Sequence, residues 1–174
     1  MANYLINFFK HLNTVNKHRF LVCKNCFALG LYFQGLTHDL SKYSPTEFLP
    51  SVKYYSGTHS PINEERQEKG YSTCWLHHKG INKHHWQYWV DFESGQIEFI
   101  DPPKKYVKEM VADRIAACMV YQKDKYHNSS ALEFLENSIE KRFIPEKTYL
   151  LLKKYLQIVA ENDLKTALKI IKND

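Results

Sequence analysis

The chain has 174 residues, of which 44% are hydrophobic and 25% charged, values that exclude a chain disordered throughout. This length is enough for a domain with its own core, so we expect a single domain over residues 1–174. The formal net charge of +5 arises without a long block of Lys or Arg. A Lys-rich solvated surface explains it, and nucleic acid is not specifically indicated as a partner.

The four cysteines predict no disulfide framework. Cys23 and Cys26 form a C-x-x-C, but no second pair follows at zinc-finger spacing, and we interpret them as small side chains on or near a buried helix face. This cysteine usage favours a reducing compartment. A signal-peptide pattern is missing, and the most apolar window, 20–36, is interrupted by polar residues. We therefore expect a cytoplasmic protein without a membrane span.

The N-terminal part of the chain predicts two helices. Residues 3–12 have the pattern of a short amphipathic helix, and Asn13 or Thr14 would cap a second helix that runs to about Gly30–Gly35. In the second helix, three- and four-residue spacing places on one inward face His18, Val22, Cys26 and Leu29.

Capping signals define the next elements. The His38-Asp39 stretch is expected to form a short helix. Ser44, Pro45 and Glu47 form a capping box that starts a helix reaching about Tyr55. A further helix should begin at Ser60-Pro61 and run to His78 or Lys79, with Gly80 as its stop.

The second half combines one hairpin with several helices. Residues 82–86 predict a helical turn, and alternation around Glu93-Ser-Gly95 predicts a β-hairpin over residues 89–100. A helix should span Lys104–Tyr121, with inward positions Val107, Met110, Val111, Ile115 and Cys118. Further helices are expected near 130–142, 146–161 and 163–172. The predicted fold is all-α: a single-domain helical bundle with one small β-hairpin.

The adjacent His38 and Asp39 suggest a metal site, because an imidazole and a carboxylate together suit a borderline or hard ion. Two residues cannot hold a metal alone, but a helical bundle can gather ligands from several helices. The further candidates are His18, His77, His78, His84, His85 and Asp113. Each also has an ordinary explanation: Asp113 could pair with Arg114, and the paired histidines could be exposed polar residues.

The order of these residues resembles the HD-domain metalloprotein superfamily, whose pattern is a His, an adjacent His-Asp, optional further histidines and a distant Asp. Lys42 adds to the match, since the superfamily often carries a lysine three residues after the Asp. The runs Trp75–Lys79, Asn82–Trp86 and Glu109–Asp113 are also similar to an uncharacterised HD-like family of bacterial and phage proteins. The resemblance covers about residues 14–118.

The resemblance implies a metal-dependent phosphohydrolase with one or two divalent transition-metal ions (Mn, Fe, Zn or Ni) and a metal-activated water. Its substrate would be a nucleotide-like phosphomonoester or phosphodiester. One ion would be held by His18, His38, Asp39 and Asp113. Asp39 or Asp113 would bridge to a second ion held by His78 and by His85 or His84.

We assign metal ligation to His18, His38, Asp39, His78, His85 and Asp113, and catalytic roles to Lys42 and His84. The same residues suit two alternatives, a di-iron HD-type oxygenase and a non-enzymatic metal-binding protein. The substrate, the oligomeric state and the role of residues 122–174 stay open, and a homo-oligomer is compatible with the sequence.

Overall fold

The computed structural model describes residues 2–93 and 95–174 and confirms the all-α fold class. The helices are α1 (Ala2–Ala28), α2 (Tyr32–Thr37), α3 (Pro45–Lys53), α4 (Pro61–Lys69), α5 (Thr73–Ile81), α6 (Lys104–Gln122), α7 (Ser130–Asn137), α8 (Glu146–Glu161) and α9 (Leu164–Asn173). Short 3-10 helices occupy Leu40–Tyr43, Trp86–Trp89, Lys123–Lys125 and Ile139–Arg142. Among the helices described, none is both long and apolar enough to cross a membrane.

Helix α1 is one continuous helix, so the predicted division at Asn13 or Thr14 is wrong. The Thr14 hydroxyl donates to the Lys10 carbonyl at 3.0 Å, a bond within the helix that removes its capping function. The predicted inward face is confirmed, because Val22 and Cys26 are fully buried and His18 is 7% exposed.

His38 and Asp39 lie at a break between helices, not inside the short helix that we predicted. Helix α2 ends at Thr37, and Asp39 adopts the left-handed conformation with φ of 53°, which stops a helix. The Arg19 side chain fixes this break, since its Nε donates to the His38 carbonyl at 2.8 Å. A second guanidinium nitrogen donates to the Leu36 carbonyl at 3.1 Å.

The predicted capping box at the start of α3 is wrong, although the helix begins at Pro45 as expected. The Ser44 side chain makes no cap hydrogen bond. Glu47 is 1% exposed and bonds to His77 and His78 instead. The carboxylate turns inward because buried imidazoles compete for it more effectively than an exposed helix end does.

The predicted helix over 60–79 is two helices. Gly70, with φ of 80°, ends α4, and the Ser72 hydroxyl caps α5 by accepting from the Trp75 amide at 3.0 Å. Gly80, predicted as the stop, lies inside α5. The missed signal was Gly70, which permits the left-handed conformation that ends a helix.

The hairpin is confirmed as strands β1 (Val90–Glu93) and β2 (Gln96–Phe99), which pair antiparallel. Ser94 of the predicted turn lies outside the described residues. The helical turn predicted at 82–86 occurs later, as the 3-10 helix that begins at Trp86. His84 and His85 therefore lie in an irregular turn that leads into the hairpin.

Helix α6 is central to the core. All five predicted inward residues of α6 are buried, as are Leu152, Leu156 and Val159 of α8. Residues 130–172 complete this core by packing on α6 and on the C-terminal end of α1, where Gly30 meets Lys172. Two apolar residues of this region, Ile139 and Leu150, are exposed.

We predict that Gly35→Ala destabilises the protein by about 1–3 kcal/mol, because α2 crosses α1 too closely for a methyl group. A Cβ at Gly35 would lie 3.0 Å from the Cys26 Cβ and 3.2 Å from the Cys23 carbonyl oxygen. Gly80→Ala is the control, since its Cβ would meet open space and alanine should stabilise the helix by about 0.5–1 kcal/mol. Urea unfolding of both variants measures the difference, and equal stabilities would contradict the close crossing.

We also predict that His11 makes the protein sensitive to mild acid. Its burial against Phe48 and Tyr55, and secondly the Lys42 charge, lower its pKa from 6.5 to about 4. The stabilisation from neutral His11 is complete above pH 6.5 and falls by up to about 3 kcal/mol as pH drops to 4. His11→Gln should remove this component from the pH dependence of unfolding, whereas exposed His127→Gln should leave it intact.

Candidate metal centre

The structure brings the predicted ligand positions together from four parts of the fold. His18 comes from α1, His38 and Asp39 from the break after α2, and Asp113 from α6. Helix α5 and the turn after it supply the remaining histidines. Two ligand sets share Asp39 and have ligand atoms within 4.8 Å of one another: the first is His18, His38, Asp39 and Asp113, and the second is Asp39, His78, His84 and His85. Outside these two sets, His38, His84 and Glu109 form a further group at the same spacing.

Asp39 belongs to both sets, and its two oxygens face opposite directions. Oδ2 lies 3.3 Å from Nε2 of His38 and 3.5 Å from Nε2 of His18. Oδ1 lies 3.3 Å from Nε2 of His78 and 3.4 Å from Nε2 of His84. Of the two carboxylates considered as a bridge, Asp39 is therefore the one between the sets.

Asp113 completes the first set only. Its Oδ1 lies 3.1 Å from Nε2 of His18 and 3.6 Å from Nε2 of His38. The alternative pairing of Asp113 with Arg114 is not formed, because Arg114 binds Glu140 at 3.2 Å. Asp113 is thus directed toward the imidazoles, which is the orientation a ligand requires.

Most of the inward-facing atoms lack hydrogen bonds. Nε2 of His18, His38, His84 and His85 and Oδ1 of Asp39 are buried without a hydrogen-bond partner, whereas Oδ2 of Asp39 pairs with Lys42 at 2.7 Å. Buried polar atoms are nearly always satisfied, and each exception costs about 1–3 kcal/mol. Imidazole nitrogens and carboxylate oxygens that converge without partners are the donor set that a divalent transition metal accepts. The residues present therefore fit a metal.

Two buried glutamates orient the histidine rings from outside. Glu109 Oε1 accepts from Nδ1 of His38 at 2.9 Å and lies 3.2 Å from Nδ1 of His84. Glu47 Oε2 lies 2.8 Å from Nδ1 of His78. A carboxylate on Nδ1 fixes the tautomer that directs a free Nε2 toward a metal.

Sequence reasoning assigned no role at the site to either glutamate. Glu109 could have been found from its position one helical turn before Asp113, on the same face of α6. Glu47 was assigned to helix capping. Local patterns therefore identified the groups of the centre but missed those that orient them.

The doubled histidines differ in position. His77 is directed toward Glu47 at 2.7 Å and is partly exposed, so it belongs to neither ligand set, whereas His78 does. Both His84 and His85 belong to the second set, with ring centroids 4.2 Å apart. This placement makes His84, assigned above to catalysis, a potential ligand, and its catalytic role stays a prediction.

The pKa values of the buried groups at the centre depend on one another's charges. Burial is the largest influence and disfavours every charged form, yet His38 and Lys42 together hold the pKa of Asp39 well below its usual value. The reciprocal attraction of Asp39 raises the pKa of His38 despite burial. Burial, and then the neighbouring His84 and His78, lower the pKa of His85. Neutral imidazole is the form that binds metals.

Lys42 is a positively charged side chain beside the first ligand set. Its Nζ lies 2.7 Å from Asp39 Oδ2, while 29% of the side chain remains exposed. Lys42 therefore contacts the centre and solvent at once. That position is compatible with the predicted contact to an incoming anionic group.

Glu140 holds the turn that carries His84 and His85. It accepts from Trp86 Nε1 at 2.6 Å and from Gln87 at 2.9 Å, besides its pair with Arg114. The C-terminal region thus fixes the second ligand set through a residue 55 positions after His85.

We predict that Glu109→Ala lowers the affinity for Mn²⁺ or Zn²⁺ by about 10- to 100-fold, because His38 and His84 lose the acceptor that orients them. Titration against a competing chelator measures the change. Glu161→Ala, at the exposed end of α8, is the matched control and should bind as the wild type does. An unchanged affinity in Glu109→Ala would rule out the orienting role.

A protein-family profile described as "Family of unknown function (DUF5662)" matches residues 7–158, which include every residue of the centre. No curated protein and no solved structure matches the chain significantly. Since the matched region spans most of its length, the chain belongs to the DUF5662 family.

Proposed function

We propose that the protein is a metal-dependent phosphohydrolase of the HD type that acts on a phosphomonoester or phosphodiester, with a nucleotide-like substrate. The observation that carries the proposal is Asp39, whose two oxygens each face a separate group of imidazoles. This arrangement is suited to two ions that share one carboxylate.

In this proposal each ion has its own side chains. His18, His38 and Asp113 would hold the first ion, and His78, His84 and His85 the second, with Asp39 common to both. Mn, Fe, Zn and Ni all accept such nitrogen and oxygen donors. When bound, such ions activate water near neutral pH and stabilise the attacking and leaving oxygens of an in-line displacement at phosphorus.

The protein's own contribution is orientation and charge. Glu109 occupies Nδ1 of His38 and His84, and Glu47 occupies Nδ1 of His78, so that Nε2 of these three histidines stays directed inward. Arg19 holds the backbone at His38 and thereby the position of Asp39. Lys42, partly exposed beside Asp39, would neutralise charge on the phosphoryl group as it is transferred.

The ligand chemistry also favours a second candidate, a di-iron oxygenase. The second set offers three imidazoles for one carboxylate, a nitrogen-rich environment that suits iron. Stoichiometric iron with a spectral change that depends on O₂ would select this candidate. Hydrolysis of a phosphoester with Mn²⁺ under anaerobic conditions would select the hydrolase.

We further propose a cytoplasmic location, which the four unpaired cysteines support. Cell fractionation with an antibody against the protein tests it, and recovery outside the cytoplasmic fraction would contradict it.

We predict that protein purified without chelator carries about two equivalents of transition metal and hydrolyses a generic phosphodiester or a nucleotide. Asp39→Ala should lose both ions and all activity, because the shared ligand is removed. His78→Ala should keep about one ion, since only the second set is damaged. Elemental analysis and a substrate screen measure these outcomes.

Cys23→Ser with Cys26→Ser is the control, because neither cysteine belongs to a ligand set in the described part of the chain. Its metal content should equal that of the wild type. Less than one equivalent of metal in the wild type, or wild-type turnover in Asp39→Ala, would refute the proposal. Bound metal without turnover of either kind would indicate a non-enzymatic metal-binding protein.

We predict that Lys42→Met lowers kcat about 100-fold while leaving the metal content unchanged, because it removes a positive charge without removing a ligand. Lys42→Arg should restore part of the rate. Exposed Lys147→Met on α8 is the control. Full activity in Lys42→Met would show that the lysine has only a structural role.

A further inference from the structure

The β-hairpin has one entirely apolar face, which the described residues leave largely exposed although the Phe99 ring lies 6.2 Å from the Trp86 ring. Val90 pairs with Phe99 and Phe92 with Ile97, so these four side chains lie on one side of the ribbon. All four are exposed, by between 40% and 70%. A two-stranded ribbon is marginal by itself and gains stability when its apolar face is packed. The hairpin therefore presents a surface suited to a partner.

The other side of the hairpin is acidic. Asp91, Glu93 and Glu98 lie there, and residues 90–99 include no Lys or Arg. Asp91 and Glu98 are directly opposite each other across the strands, an unfavourable pairing of like charges. In a chain of net charge +5, the hairpin is a local negative region that favours a basic partner.

The same chain carries a second exposed surface, on which large apolar side chains alternate with lysines. On α1, Phe20, Lys24 and Phe27 follow one another at helical spacing, and Phe27 contacts Tyr32 of α2 at a ring distance of 5.2 Å. We name this the α1–α2 surface and define it by its exposed residues Lys17, Phe20, Lys24, Phe27, Tyr32 and Leu36. Its four large apolar side chains are exposed by between 41% and 70%.

The charge of the α1–α2 surface is opposite to that of the hairpin. No Asp or Glu precedes Asp39 in the sequence, whereas four Lys or Arg residues do. The acidic side chains point away from the apolar face, so their attraction for lysines that meet that face acts across the thickness of the ribbon. It is strongest at low ionic strength, since the Debye length rises from ~8 Å at 0.15 M salt to ~30 Å at 0.01 M.

We propose that the hairpin of one copy docks on the α1–α2 surface of a second copy, so that the chain assembles head to tail. One such contact covers both exposed apolar surfaces and places the acidic hairpin beside a basic surface. Face-to-face packing of two hairpins would leave the α1–α2 surface bare. An anionic membrane would cover the α1–α2 surface but repel the hairpin.

Complementation between two variants tests this arrangement. Phe92→Ser with Ile97→Ser removes the apolar hairpin face, and Phe20→Ser with Tyr32→Ser removes the α1–α2 surface. All four positions are exposed, so circular dichroism should show wild-type helix content and melting. Phe134→Ser, an exposed apolar residue on α7, is the matched control.

Light scattering after size exclusion should give the wild type and the control a mass above that of the 20.6 kDa chain. Each double variant should be monomeric. Their equimolar mixture should give a species of two chains, because one intact hairpin still meets one intact α1–α2 surface. Asp91→Lys with Glu98→Lys should weaken association about tenfold at low salt, and less at high salt.

Three results would overturn the proposal. A monomeric wild type would do so, as would double variants that keep the wild-type mass. Two monomeric variants that fail to combine would show a symmetric contact instead. Binding to phosphatidylserine vesicles that needs Phe20 and Tyr32 but not Phe92, with no self-association, would identify a membrane surface as the partner.

Discussion

The burial of the Asp39 carboxylate is the constraint on which the centre depends. Asp39 is 1% exposed, and a carboxylate removed from water is unstable unless cations and hydrogen-bond donors surround it. Lys42 and the rings of four histidines supply this environment. These side chains come from α1, the break after α2, the 3-10 helix that follows it, α5 and the turn after α5. The burial of one charged residue therefore requires several helices to pack in one particular arrangement.

The left-handed conformation of Asp39 allows its carboxylate to reach the histidines and Lys42. With φ of 53°, the backbone reverses between α2 and the next 3-10 helix and projects the carboxylate into the bundle. A non-glycine residue in this region is strained by about 1–3 kcal/mol and persists where its surroundings over-determine it. Arg19 contributes by binding the carbonyls of Leu36 and His38. Strain at a residue whose Oδ1 is buried without a hydrogen-bond partner is what a preorganised ligand would show.

A second layer of carboxylates controls the imidazoles. Glu47 and Glu109 are almost fully buried and bind the outer nitrogens of the histidines. Because each carboxylate accepts from Nδ1, Nε2 of His38, His78 and His84 remains free for the centre. The C-terminal region participates in the same way, since Glu140 fixes the turn after His85 through Trp86. Residues 122–174, which lie outside the resemblance, therefore help to hold the site in place.

The sequence by itself determined the helical class, the hairpin and the residues of the centre. Period-3.6 patterns located His18 inward on α1 and the buried face of α6, and the order His, His-Asp, His and Asp selected the candidate ligands. These features are local or depend on order along the chain. Residue types and their spacing were therefore enough to find the helices and the hairpin, whereas the set of ligands rested on the resemblance in residue order.

Only the tertiary structure decided which groups share a centre and how they are oriented. Asp39 belongs to both ligand sets and Asp113 to the first alone, because the direction of the Asp39 carboxylate depends on a backbone reversal with no signature in the sequence. Glu47 appeared to be a helix cap, but it binds histidines 30 and 31 residues away. Contacts over such separations arise from the packing of α3 on α5, and local propensity contains no information about them.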